Sequence, residues 1–188
     1  MNIKENIILV LSALVLCLSV SQASALPMTF TLSDSHIEPG EIFSIEVWAN
    51  DVFDTYPGDE VLAFGFDVTN SDPSIVSFDS ASVGPLFNDD SAFFPNTDVA
   101  GSVFPGILDN SIHLATLDYT ALGLGSVALG ISSEITDFNE GLVYFMAGNI
   151  DITSSLNVNV VPEPSTYLLF AFGLGGLICL RSSCKYKH

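Results

Sequence analysis

An all-β fold, an antiparallel β-sandwich of the jelly-roll kind, is predicted for this 188-residue chain, and three observations predict it. Apolar residues between Met28 and Val161 recur with period two, the spacing that turns one face of a strand into a core. Turn-forming pairs interrupt them at Pro39-Gly40, Pro57-Gly58, Asp72-Pro73, Gly84-Pro85 and Pro105-Gly106. No stretch of that middle region sustains a helical stripe. Eight or nine short strands without long helices make a sandwich.

The first strand is expected over Thr29 to Leu32. Ile42 to Ala49, IFSIEVWA, sets Phe43, Ile45 and Val47 on one face and Ser44, Glu46 and Trp48 on the other. Val61 to Val68, VLAFGFDV, does the same with Leu62, Phe64, Phe66 and Val68. Ile75 to Phe78 follows the turn at Asp72-Pro73. Residues 84–106 show no alternation, and their Phe87, Phe93 and Phe94 are expected to fold back as a covering flap. Strands resume at Ile112 to Tyr119, Ser126 to Ile131, Leu142 to Phe145, Ile150 to Thr153 and Leu156 to Val160.

Charge divides the chain more sharply than length does. Lys4, Arg181, Lys185 and Lys187 are its only lysines and arginines, and residues 26–161 contain none. Of 22 acidic residues only Glu5 and Glu163 fall outside that stretch, which leaves 20 carboxylates within it. Nothing there neutralises phosphates, so nucleic-acid binding is excluded. A surface that seeks anionic lipid is equally absent. Cys17, Cys179 and Cys184 also lie in the end segments. No disulfide joins the middle, whose stability must come from core burial.

Residues 1–25 have the layout of a secretory signal peptide: Lys4 in the n-region, an apolar core from Ile7 to Val20, and small residues Ala23 and Ala25 at the cleavage site. Leu16 is too bulky to precede a lipidated Cys17. At the other end, Val161-Pro162-Glu163-Pro164-Ser165-Thr166 runs into the apolar Tyr167 to Leu180, followed by Arg181, Lys185 and Lys187. Two prolines stop any element from continuing through the junction. The apolar run is short for a span of about 20 residues, and the basic tail belongs on the cytoplasmic side.

This tail resembles the PEP-CTERM sorting signal of Gram-negative bacteria, in which Pro-Glu-Pro, an apolar span with glycines, and basic residues follow in that order. RSSCKYK stands where the family has a tighter run of arginines. The resemblance implies a substrate of an exosortase-type membrane protease. Pro162, Glu163, Pro164 and Ser165 would be its recognised motif, and Arg181, Lys185 and Lys187 the basic stop behind a transmembrane helix. Without the resemblance the segment is a plain C-terminal anchor. The expected division is 1–25 signal peptide, 26–161 folded domain and 162–188 sorting signal.

The middle also resembles cohesin-type modules. Ile37-Glu38-Pro39-Gly40-Glu41-Ile42-Phe43-Ser44-Ile45 looks like their opening turn and strand, and Phe64-Gly65-Phe66-Asp67-Val68 like a second strand. Asp72-Pro73-Ser74 then leads into Ile75-Val76-Ser77-Phe78. Leu114-Ala115-Thr116-Leu117-Asp118-Tyr119 and Gly123 to Leu129 match a later pair. The resemblance implies a nine-stranded jelly roll related to carbohydrate-binding modules. It does not carry dockerin binding with it.

Catalytic chemistry finds little support. The domain has no Cys, and its two histidines, His36 and His113, sit at a turn and on a strand. No nucleophile elbow, phosphate loop or closely spaced zinc ligands occur. Two carboxylates would suffice for glycoside hydrolysis, but among 20 some pair falls at a suitable distance by chance. Calcium, which takes six to eight oxygen ligands, suits the acidic loops better. Asp51, Asp54, Asp59 and Glu60 are the first candidate set, although none of the loops has helix-loop-helix spacing and each also reads as a solvated acidic loop. Trp48 and Tyr56 are candidates for stacking on sugar rings.

The function these readings imply is that of a non-catalytic exported protein of the cell surface or extracellular matrix. It would pass through the secretion machinery and the inner membrane, then recognise a polysaccharide or a surface protein in an exopolysaccharide or biofilm setting. Alternatives are a carbohydrate-active enzyme or its accessory and an ice-binding protein, although the only Thr-x-Thr is Thr29-Phe30-Thr31.

Overall fold

The alternation read from the sequence builds eleven strands in a computed structural model that describes residues 26, 28–34, 36–134 and 136–162. The expected signal peptide with Ala23 and Ala25, the residues from Glu163 through Pro164 and Ser165 to Arg181, Lys185 and Lys187, and the expected membrane helix lie outside the described residues. Among the described residues no helix is long and apolar enough to cross a membrane.

The strands are β1 (Met28–Leu32), β2 (Ile42–Asn50), β3 (Val61–Asn70), β4 (Val76–Val83), β5 (Asn88–Asp89), β6 (Val99–Ile107), β7 (Ser111–Ala121), β8 (Gly125–Ser132), β9 (Gly141–Tyr144), β10 (Gly148–Ile150) and β11 (Thr153–Val160). One sheet has the order β1-β2-β7-β4; the other runs β10-β9-β3-β6-β5, with β8 pairing both β3 and β11. All these pairings are antiparallel. β3 organises the larger sheet. Its first half pairs β9 on one side and β6 on the other, while its last residues, Asp67 to Asn70, pair β8. The fold is all-β, as the sequence predicts.

Burial follows the pleat on β2, where Phe43, Ile45, Val47 and Ala49 are buried and Glu46 is exposed. They meet Phe64, Phe66, Leu129, Ile131, Leu142 and Tyr144 of the other sheet in one core cluster. Two of the three register shifts among the described strands change which residues point inward. Between Val47 and Trp48 the register with β7 skips a residue, so Leu114 and Ala115 are both buried although adjacent. Between Val61 and Ala63 a second shift makes Val61 fully buried and leaves Leu62 only half-buried, which corrects the expectation that Leu62 points inward.

The covering flap expected over 84–106 is not a flap. Val99 to Ile107 is β6, hydrogen-bonded to β3 inside the larger sheet, and β5 extends the sheet by two residues. Pro105 lies beyond the residues of β6 that pair β5 and within the register shift against β3, where its missing N–H costs no ladder bond. Of the three phenylalanines only Phe87 enters the core, and Phe93 is 75% exposed. The strand expected over Ile150 to Thr153 is broken into the end of β10 and the start of β11. Between them Ile152 bridges to Leu26.

The sandwich has two ends. β2 starts at the end where Ile42 pairs with Thr120 and finishes at the end where Asn50 pairs with Ser111. β11 terminates at the first of these, Val160 opposite Gly125, so the sorting segment leaves from there. The loop 51–60 closes the opposite, far end.

Candidate functional site

The far end is assembled from the loop 51–60, the β6–β7 connection and the β9–β10 turn. Asp51 opens the loop with φ of 55° and Gly58 turns it with φ of 83°. Asn110 fastens it from the neighbouring connection, accepting the Phe53 amide at 2.9 Å through Oδ1. Tyr144 reaches across from β9 and donates its hydroxyl to the Val52 carbonyl at 2.7 Å. Phe53 and Tyr56 pack against the Tyr144 ring, with centroids 6.1 and 5.2 Å away.

Asp59 joins the loop to the β9–β10 turn. It is 3% exposed; its Oδ1 accepts the amides of Glu60 at 2.8 Å and Met146 at 2.9 Å, and its Oδ2 accepts that of Ala147 at 2.8 Å. Burial acts to raise this carboxyl, but the amides of Met146, Glu60, Ala147 and Phe145 outweigh it and hold the group below its ordinary value. It is therefore an ionised strut with both oxygens engaged. Among the described residues no group of three or more His, Cys, Asp or Glu stands at metal-holding distances. Asp51 is engaged with the Asn110 amide at 3.4 Å.

The two candidate sugar-stacking rings are not brought together. Trp48 is half-buried on the outer face of β2, stacked on His113 at 4.8 Å and donating Nε1 to Glu46 at 3.0 Å. One indole face is thus covered by an imidazole. Tyr56 borders a shallow depression of about 300 Å³ with Pro57, Asp59, Met146 and Ala147. A second depression of about 390 Å³ lies beside it, bordered by Phe53, Asp54 and Leu108 among others.

Sequence reasoning missed the apolar residues that give this end its character. Leu108, Phe145 and Met146 are 69%, 70% and 67% exposed, and Phe104, on the strand leading here, is 92% exposed. Phe145, expected at the end of the strand from Leu142, instead follows β9, its amide bonded to the Glu60 carbonyl at 2.9 Å. The signal available was the crowding of large apolar residues beside Pro105-Gly106 and Gly148, where turns end strands.

A second group draws on three separate segments, Asp67 of β3, Asp98 just before β6 and the loop holding Glu134, Asp137 and Glu140, and it is their convergence that the sequence does not display. Asp67, Asp98, Glu134, Asp137 and Glu140 lie close enough to act on one another's charge. Burial, with neighbouring carboxylates adding to it, pushes Asp67 and Glu140 upward, against amide bonds that pull down. Glu140 takes the Glu134 amide at 2.6 Å and the Thr97 hydroxyl at 3.5 Å.

At the near end the last described residues are tied to the fold. Val160 is 3% exposed and the Val161 amide donates to the Ile37 carbonyl at 3.0 Å, while Pro162 is exposed. Residues 160–182 match the PEP-CTERM protein-sorting motif. The chain carries a PEP-CTERM sorting motif. It is an exported protein, sorted toward the cell surface by way of membrane anchoring and processing. The PEP-CTERM match begins at Val160, the last residue of β11.

The folded domain is similar to a cohesin module from a Clostridium perfringens family 33 glycoside hydrolase, with a TM-score of 0.56 and 9% identity over 74% of this chain and 100% of that one. A type II cohesin domain from the cellulosome of Acetivibrio cellulolyticus matches with a TM-score of 0.47 and 8% identity, covering 72% of this chain and 96% of that one. The first likeness shows a cohesin-like fold. No curated protein matches the sequence.

Proposed function

We propose that this chain is a non-catalytic exported recognition module, delivered by an exosortase and presenting its far end to a polysaccharide or protein of the cell surface or matrix. The observation that carries the reading is the direct joining of a PEP-CTERM motif to a cohesin-like domain. A tether at one end leaves the opposite end outermost, and that end holds the exposed Leu108, Phe145 and Met146 around two shallow depressions. Contiguous exposed apolar residues of this kind mark interaction sites.

Binding of the full chain to purified exopolysaccharide and to extracted matrix proteins tests this, alongside a Phe145→Ser/Met146→Ser variant. Binding is expected to fall at least tenfold in the variant, a loss of about 1.4 kcal/mol. Equal binding by both proteins removes the far end from the reading. Release of new reducing ends from the polysaccharide would replace recognition with hydrolysis.

A further inference from the structure

The near end of the sandwich carries exposed apolar residues of its own. Ile42, Leu122 and Leu124 are 72%, 55% and 56% exposed. Backbone bonds hold their segments together: Gly40 N to Ala121 O at 2.7 Å, Ala121 N to Glu41 O at 2.9 Å, and Leu122 N to Ile75 O at 2.7 Å. The same cluster contains the chain's exit, because Gly125 pairs with Val160 and Ile37 accepts the Val161 amide. Exposed apolar residues clustered in this way mark a surface that meets an apolar partner.

Length decides what that partner is. Five peptide steps separate Pro162, the last described residue, from Tyr167, where the apolar run begins. Fully extended they span at most about 18 Å. A headgroup layer accounts for roughly 5–8 Å of that, so an anchored domain hangs within about 10–13 Å of the lipid headgroups even at full stretch. We infer that, before processing, the near end rests on the bilayer, with Ile42, Leu122 and Leu124 seated in its interfacial layer. The lipid it fits is uncharged overall. Asp34, Glu38 and Glu41 border a depression of about 510 Å³ at this same end, with His36 as the one group that can carry positive charge among its lining residues. Anionic headgroups would be repelled by these carboxylates. The contact also fixes orientation: it stands the sandwich upright and turns the far end outward.

This inference rests on the anchoring implied by the sorting motif, and the experiment separates the two. The full chain is reconstituted in phosphatidylcholine vesicles whose acyl chains are brominated near the headgroup. The native Trp48 lies six residues along β2 from Ile42, about 20 Å away, and serves as the distant reporter. A Trp48→Phe/Leu124→Trp variant moves the reporter to the near end. Emission from the variant is expected to lose at least half its intensity to bromine, while that of the native chain is unchanged. Adding Ile42→Ser and Leu122→Ser should restore most of the lost intensity, with circular dichroism confirming unchanged strand content. Equal emission from both reporters, in protein that stays with the vesicles through an alkaline wash, overturns the lipid contact but leaves the anchor intact. Blue-shifted but unquenched emission from the near-end reporter means that protein covers this end, and it overturns the inference too. Protein washed out of the vesicles refutes the anchoring and the inference together.

Discussion

Tyr144 donates its hydroxyl to the Val52 carbonyl at 2.7 Å, whereas the equally buried Tyr119 hydroxyl finds no hydrogen-bond partner among the described residues. Burial raises both phenols, Tyr144 to about 12 with Tyr56 and Asp59 adding to the rise. The same substitution should therefore act oppositely at the two sites. Tyr144→Phe orphans a buried carbonyl and costs about 1–3 kcal/mol, while Tyr119→Phe removes an unpaired polar atom and is neutral or stabilising. Urea unfolding of the two variants checks the contrast. Carboxylates at the same scale are held by neutral donors: Ser44 and Ser80 bond Asp118 at 2.7 and 3.1 Å, and Ser74 bonds Asp72 at 2.6 Å. The ion pair among the described residues involves a histidine, His36 with Glu38 at 3.4 Å. Asp59, held below its ordinary 3.8, stabilises fully above that value and loses its contribution as pH falls through its lower native value. Glu140, raised above its ordinary 4.5, stabilises fully below that value and loses its contribution as pH rises through its higher native value. Thermal midpoints should pass through a maximum in mildly acidic buffer. Asp59→Asn should flatten the decline on its acid side and Glu140→Gln the decline on its neutral side.

At the scale of elements, β3 depends on two glycines that admit other parts of the chain. A Cβ on Gly65 would overlap the Asn139 carbonyl, which belongs to the loop covering this strand. A Cβ on Gly101 of β6 would meet Phe64 at 2.8 Å and Phe87 at 3.0 Å. Gly65→Ala pushes on backbone and should cost about 1–3 kcal/mol, whereas at Gly101 the two tightest contacts are side-chain ends, Phe64 at 2.8 Å and Val83 at 2.9 Å, that can shift, and the loss should be smaller. Denaturant midpoints of the two variants would show whether rigid backbone or movable rings set the cost. These glycines also explain what the sequence left illegible. β2 and β7 have the inward-outward alternation that one buried and one wet face produce, and their spans were readable to within a residue or two. β6 has Val99, Ala100 and Gly101 all buried in succession, because loop, core and β5 cover it from several sides. Period two vanishes there, and a strand looks like a flap. Leu62 misled for a related reason: a bulge is a change of pairing, and no single strand's sequence displays it. Of the far-end site, the loop and Asp59 were visible as an acidic cluster, but Asp59's role as a strut depends on amides 87 and 88 residues away in the chain.

For the whole molecule, 20 carboxylates without a lysine or arginine between residues 26 and 161 make the folded state self-repelling. At 0.1 M salt charges more than about 10 Å apart cease to feel one another, so sodium chloride should raise the unfolding midpoint steeply up to that concentration and little beyond. Calcium and magnesium compared at equal ionic strength extend the test, since a larger shift with calcium assigns that ion to a site and equal shifts assign both to screening. Processing is bounded by the fold itself. Val158 and Val160 are 2% and 3% exposed and β11 pairs with β8 along its full length. A cut before Val158 would remove both side chains from the core, at about 1.5–3 kcal/mol each, together with the last ladder bonds. A cut after Val161 leaves the Val161 amide on Ile37 and costs the domain nothing. The mature C-terminus should therefore lie at Val161 or within the few residues that follow. Intact-mass spectrometry of protein from the producing cells reads it directly, and a terminus at or before Asn157 would mean that β11 is not part of the working domain.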